Sequence, residues 1–135
     1  LLVLLSGCGG ASDPAASAAD DKPDSVRIAT DPASPDQKPP VLTLTANSAL
    51  VLQLYATTFA LPLMPQNVVC TLERGPHYTL TFLRNNKPLA TALAKRDGCH
   101  PVTITGEKQD RQATSAFWSQ LDQAIQRATP ATSGQ

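Results

Sequence analysis

The feature that most constrains the fold of this 135-residue chain is a pair of short apolar segments joined by two asparagines. Residues 78–84 alternate apolar side chains with threonine, and residues 89–93 return with a similar composition. Between them, Asn85 and Asn86 tolerate the positive φ angles that a tight hairpin turn requires. A period of two places the apolar side chains on one face of a strand. The pattern therefore predicts an antiparallel hairpin with one buried face.

Further elements are predicted on both sides of the hairpin. Residues 41–45 and 102–105 have the composition of short strands. Residues 49–61 are apolar on nearly all sides and favour a helix, with a strand as the alternative because β-branched and aromatic residues are frequent there. Residues 108–128 carry apolar side chains at intervals of three and four, which predicts an amphipathic helix. The fold class expected is α+β, with a small antiparallel meander sheet packed by an N-terminal and a C-terminal helix.

The beginning of the chain carries the most specific motif. Residues 1–5 are wholly apolar and are followed by small residues and a cysteine, as at the end of a secretory signal peptide. Leu5-Ser6-Gly7-Cys8 resembles the lipobox of bacterial lipoproteins. The resemblance implies cleavage before Cys8, a diacylglyceryl group on its thiol, and attachment to the extracytoplasmic face of a membrane (the outer one if the cell has two). Residues 1–7 would then be the end of a signal peptide whose n-region is missing. A buried strand with a free thiol is the alternative.

The composition of residues 9–40 differs from that of the rest of the chain. The segment holds six of the 12 prolines and six aspartates against three basic residues. Its only sizeable apolar side chains are Val26 and Ile28, too few to offset the entropy lost on ordering. We therefore predict a lipidated Cys8 with a disordered tether over 8–40. A single domain is expected over 41–128 and a frayed tail over 129–135.

The two remaining cysteines flank the hairpin. An even pair in an exported domain predicts a disulfide between Cys70 and Cys99. A metal site that adds His77 and His100 is the alternative, but no pair of these residues has the spacing typical of structural zinc sites. No metal and no other cofactor is expected. Lys+Arg and Asp+Glu number 11 each, and without a basic excess a nucleic-acid partner is not expected either.

No catalytic motif stands out in the domain. The acidic residues form no close pair suited to acid–base chemistry, and no nucleophile motif such as Gly-x-Ser-x-Gly is present. The most polar loop contains Glu73, Arg74 and His77, which we single out as candidate recognition residues. A solvated turn that holds a local ion pair is the alternative interpretation of the same loop.

The domain is also similar to small, functionally uncharacterised exported bacterial lipoproteins. The similarity covers about residues 48–128 and implies no activity. It rests on the following motifs: Leu61-Pro62-Leu63-Met64-Pro65, Cys70, Tyr78-Thr79-Leu80-Thr81-Phe82, Gly98-Cys99 and Phe117-Trp118.

Three functions are compatible with these features. The first is a non-catalytic binding or accessory domain, anchored in the membrane through Cys8 and directed at another exported protein. The second is an inhibitor or modulator of an exported hydrolase through residues 73–77, which a rigid, protruding loop would favour. The third is a small enzyme that uses His77 or His100, which would need a deep pocket and a carboxylate within hydrogen-bond reach.

Overall fold

A computed structural model describes residues 22–31, 40–45 and 47–130. This part of the chain contains two helices and one seven-stranded sheet. The helices are α1 (Ser48–Phe59) and α2 (Ser115–Arg127). The strands are β1 (Ser25–Thr30), β2 (Val41–Leu44), β3 (His77–Arg84), β4 (Lys87–Lys95), β5 (Pro101–Ile104), β6 (Arg111–Gln112) and β7 (Thr129–Pro130). The predictions for residues 1–7, for Cys8 and for residues 131–135 lie outside the described residues.

The strands pair antiparallel throughout, in the order β6-β5-β4-β3-β1-β2-β7. β3, β4 and β5 form the predicted meander, and β6 adds a fourth strand to it that was not predicted. The α+β class, the meander and the disulfide are confirmed. Neither described helix is long and apolar enough to cross a bilayer.

The central strand β1 corrects the prediction of a disordered tether over 8–40. Val26 and Ile28 are fully buried, and β1 pairs with β2 on one side and with β3 on the other. The two side chains were too few to support an independent segment. They are sufficient here because both neighbouring strands come from elsewhere in the chain and cover them. The domain therefore begins before residue 41, the boundary predicted from composition.

The hairpin forms as its sequence predicts. Asn85 and Asn86 have φ angles of 52° and 66°, which are the left-handed values that a two-residue type I′ turn needs. The register shifts between Phe82 and Leu83. Phe82 belongs to the core cluster, whereas Leu83 is buried outside that cluster, where it pairs with the buried Ser25.

One face of the sheet forms the core with the two helices. A row of paired apolar residues crosses five adjacent strands. From β2 through β1, β3 and β4 to β5, the residues are Leu42, Ile28, Leu80, Ala92 and Ile104. The small alanines of β4 leave room for the large side chains of α2, of which Phe117 and Leu121 are fully buried. The two helices join the same core cluster as these strands.

The segment 49–61 is a helix, so the strand alternative is excluded. The Asn47 side chain accepts a hydrogen bond from the backbone N–H of Leu50 at 3.0 Å, which caps the first turn. Leu50, Val51 and Leu54 are buried. The hydroxyl of Thr58 is also buried and donates to the Leu54 carbonyl at 2.7 Å, so its polar atom is satisfied within the helix.

The C-terminal helix is shorter than the predicted 108–128. It begins at Ser115, where the Thr114 hydroxyl accepts from the backbone N–H of Phe117 at 3.2 Å. Residues 111–112 instead pair with β5. The Arg111 guanidinium binds Glu107 at 2.9 Å and donates to the Leu61 carbonyl at 2.7 Å. These contacts outweigh the helical periodicity of the segment.

The predicted tail over 129–135 is also corrected at its beginning. Thr129 and Pro130 pair with Thr43 and Leu42 of β2. The unpaired edge of β2 thus acquires a partner from the chain that leaves α2.

Candidate functional site

The candidate site is a loop that precedes β3 and contains the first cysteine of the disulfide. We call residues 68–76 the tip loop; they form no helix and no strand. Cys70 is joined to Cys99 with a Cα–Cα distance of 5.1 Å, which lies in the range of native disulfides. The two cysteines are 29 residues apart in sequence. On the chain-entropy model, a disulfide that closes a loop of this length contributes about 3.5 kcal/mol to stability.

Hydrogen bonds fix the C-terminal half of the tip loop to the turn at 96–99. The Gly98 N–H donates to the Glu73 carbonyl at 3.1 Å, and the Arg96 N–H donates to the Pro76 carbonyl at 3.0 Å. The Asp97 carboxylate accepts from the Gly75 N–H at 3.1 Å. Together with the disulfide, these bonds hold the loop to one turn on both sides of Leu72.

Two glycines allow the loop and the turn to approach this closely. A Cβ at Gly98 would collide with the backbone of Thr71, and a Cβ at Gly75 would collide with the backbone of Arg96. Backbone atoms cannot rotate away as a flexible side chain can. The two segments therefore stay in contact only because both positions lack a side chain.

The turn is in turn fixed to α2. The Arg96 guanidinium binds the Asp122 carboxylate, with both N–O distances at 2.9 Å. Its charged group also lies 4.5 Å from the centre of the Trp118 ring, a favourable cation–π distance. The tip loop is thus connected through Arg96 to two partly buried side chains of α2.

Two aliphatic side chains of the tip loop are almost completely exposed. Leu72 is 96% exposed and Val69 is 92% exposed. Cys70 lies between them in sequence and is joined to Cys99 by the disulfide. Two such side chains on one loop contrast with the rest of the described domain, where the next most exposed large apolar residue is Leu63 at 52%.

A side-chain hydrogen bond spans Leu72. The Thr71 hydroxyl donates to the Glu73 carboxylate at 3.2 Å. The residues before and after Leu72 are thereby joined to each other, while the leucine side chain stays exposed. The bond restrains the backbone on either side of the most exposed residue of the loop.

A cavity of about 680 Å³ lies beside the tip loop, at the end of the sheet where β1 finishes and β3 begins. His77 lies in its wall between two carboxylates. The His77 Nε2 atom is 2.9 Å from Asp97, and its Nδ1 atom is 3.4 Å from Asp31. Glu73 and Arg74 line the same cavity.

The Asp97 carboxylate is kept in its ionised form. Hydrogen bonds from the Gly75 N–H and then from His77 hold the pKa of Asp97 below its ordinary value of 3.8. A lowered pKa means that the carboxylate is charged throughout the neutral range. Asp97 therefore acts as a permanent acceptor that joins the tip loop to the start of β3.

The cavity contains few groups with chemistry of their own. Both ring nitrogens of His77 face carboxylates, so neither is directed at a third group. The one hydroxyl among the lining residues is that of Thr71, which already donates to Glu73. His100 lies elsewhere, with its ring centre 5.7 Å from that of Trp118. Within the described ranges, no three His, Cys, Asp or Glu side chains are grouped as metal ligands would be.

The structure brings Glu73, Arg74 and His77 to one cavity, although only the first two belong to the tip loop. The predicted disulfide is present. Sequence reasoning did not identify Leu72, Val69 or the pairing of His77 with Asp97. Two aliphatic residues beside a cysteine have the same composition as a buried strand, and only the fold shows that nothing covers them.

The comparisons with known proteins give no relative. The chain matches no family model, no curated protein and no solved structure.

Proposed function

We propose that this chain is a lipid-anchored, exported binding protein, whose small non-catalytic domain docks on another exported protein through the tip loop. The observation that carries the proposal is the almost complete exposure of Leu72 and Val69 on a loop that is held on both sides of Leu72. Burial of aliphatic surface is favourable, and exposed apolar surface marks interaction sites.

The rigidity of the tip loop supports this proposal. A flexible loop loses conformational entropy when it binds, and that loss reduces affinity. Here the disulfide, the bonds to the 96–99 turn and the contact of Arg96 with α2 restrict the loop before any partner arrives. The restrained backbone and the exposed Leu72 therefore support a contact between this loop and another exported protein.

The direction of the chain also supports the proposal. Ser25 at the beginning of β1 pairs with Leu83 beside the hairpin turn, and Thr30 at its end pairs with Tyr78 beside the tip loop. A lipid anchor at Cys8 would therefore connect to the end of the sheet opposite the tip loop. The loop would face away from that connection, toward partners.

The enzyme alternative has less support. The cavity and the carboxylate beside His77 meet part of what a histidine-dependent enzyme would need. However, a general base must have a free nitrogen within hydrogen-bond reach of the proton that it removes. Asp97 and Asp31 face both nitrogens, an arrangement that suits a structural role.

Site-specific photo-crosslinking in intact cells tests the proposal. A photoreactive amino acid in place of Leu72 should give a discrete adduct with one exported protein. The matched control places the same amino acid at Leu63, which is exposed but outside the tip loop. Absence of an adduct at position 72, or the same adducts at both positions, would contradict the proposal.

A second arm of the same experiment tests the anchor. Cells fed a fatty-acid analogue should label the chain, and Cys8→Ser should remove the label because no other residue of the motif has a thiol to modify. Label that remains on the Ser variant would show that the lipid is not at Cys8.

A further inference from the structure

We infer that the partner is a serine endopeptidase with an apolar specificity pocket, and that the tip loop inhibits it by offering the Leu72–Glu73 peptide bond to its active site. This inference rests on the proposed function and adds the class of partner. It assigns to Leu72 the role of the side chain that enters the pocket.

The shape of the tip loop fits a cleft rather than a flat surface. Leu72 is 96% exposed, and the side chains of the neighbouring Thr71 and Glu73 are joined to each other by a hydrogen bond. Serine proteases recognise one side chain of their substrate in a pocket, which is a hydrophobic slot in chymotrypsin-like enzymes. A projecting leucine with restrained neighbours is complementary to such a slot.

The backbone N–H and C=O groups on the N-terminal side of the Leu72–Glu73 bond are those with which a protease would pair. Within the described residues, no backbone group from Val68 to Leu72 has a backbone hydrogen-bond partner. An extended segment with free N–H and C=O groups can pair with the edge of a partner's cleft. Side chains that alternate along such a segment supply the specificity, and here Leu72 supplies it.

The attachments of the loop explain why it would inhibit rather than be digested. The protease serine would attack the Leu72 carbonyl carbon, the Leu72–Glu73 bond would break, and the freed amino group of Glu73 would take a proton from the catalytic histidine. Cys70 is bound to Cys99, and the Glu73 carbonyl is bound to the Gly98 N–H of the same turn. The amino group therefore stays beside the acyl-enzyme at high effective concentration. Its attack on the ester restores the peptide bond and the free serine, and no water is consumed.

Inhibition assays with the full, disulfide-bonded chain test this inference. The probes are chymotrypsin and subtilisin, with trypsin as the enzyme whose pocket carries an acidic residue. The wild-type chain should inhibit chymotrypsin or subtilisin with a dissociation constant below about 1 µM, and trypsin much more weakly. Leu72→Ala should weaken inhibition by at least about 100-fold, whereas Leu63→Ala should not change it.

A change of specificity is the decisive arm. Leu72→Lys should make the chain a trypsin inhibitor and abolish inhibition of chymotrypsin, because the new side chain matches the acidic pocket. The fold should tolerate the change, since Leu72 contacts almost nothing. The double variant Cys70→Ser/Cys99→Ser should lose inhibition and be cut after Leu72 as a substrate, provided that its circular dichroism shows a folded domain. If it is unfolded, the Leu72→Lys result decides alone.

The inference is overturned if the wild-type chain inhibits neither chymotrypsin nor subtilisin at about 10 µM, if it is digested after Leu72 at the rate of an ordinary substrate, or if Leu72→Lys does not inhibit trypsin. A crosslinked partner that is not a protease would also overturn it while leaving the binding function intact. Absence of any crosslinked partner would contradict the binding function itself.

Discussion

A chain that begins at Pro40 is expected not to fold. Such a chain lacks β1, which lies between β2 and β3 and carries the fully buried Val26 and Ile28. Truncation of one such side chain in a core costs about 2–5 kcal/mol. The loss of a central strand also removes two ladders of backbone hydrogen bonds, and the total stability of a domain this size is only about 5–15 kcal/mol.

Circular dichroism and urea denaturation check this expectation. The matched control is a chain that begins at Lys22, which keeps every described core residue. We expect it to melt within about 4 °C of the full chain, a shift that corresponds to about 1 kcal/mol. A cooperative transition of the shorter chain at the same temperature would show that β1 is not part of the stable core.

The substitution Phe117→Ala is expected to reduce the free energy of unfolding by about 3–5 kcal/mol. Phe117 is fully buried in the core cluster between α2 and the sheet. Loss of the ring would leave a cavity that the close-packed helices and strands cannot fill. The change removes a large part of the total stability.

Urea denaturation at 25 °C measures this cost, and Phe59→Ala supplies the matched control. Phe59 is only partly buried at the end of α1, where its ring centre lies 4.9 Å from that of Tyr55. Its truncation should therefore cost clearly less than that of Phe117. Equal costs at the two positions, or no effect at Phe117, would contradict the assignment of the core.

Local patterns predict the hairpin and α1 correctly. The Asn85-Asn86 turn depends on the φ preferences of two residues, and the alternation on either side belongs to two neighbouring strands. The disulfide follows from the number of cysteines and the expected oxidising compartment. In each case the deciding interaction is short in sequence or is a single covalent bond.

The errors concern elements whose partners are distant in sequence. β1 contains only two large apolar residues, Val26 and Ile28, with Arg27 between them. The strand is stable because β2 and β3 pair with it and its two apolar side chains are buried. Prolines at 23 and 32 bound this alternating run, which is a strand signal that composition obscured. The predicted N-terminal boundary of α2 at residue 108 is wrong for the same reason. Arg111 pairs with β5 and donates a hydrogen bond to the Leu61 carbonyl, which is distant in sequence.

The site shows a further limit of sequence reasoning. The polarity of Glu73 and Arg74 singles out the loop in which Leu72 lies, but not Leu72 itself. The exposure of Leu72 depends on Gly98, Gly75 and Asp97, which hold the backbone of the loop against a turn more than 20 residues away in sequence. Nothing in the local sequence distinguishes this leucine from one in a core.

Whether the tip loop binds a partner through its exposed aliphatic side chains is tested most directly by one variant, for which binding and stability are both measured. Val69→Ser/Leu72→Ser removes both exposed aliphatic side chains of the tip loop. For this variant we expect a melting temperature within about 4 °C of the wild-type value. We also expect its dissociation constant for the crosslinked partner to be at least about 100-fold higher. Unchanged affinity for that partner, or a large loss of stability in the variant, would contradict the claim that this loop exists to bind.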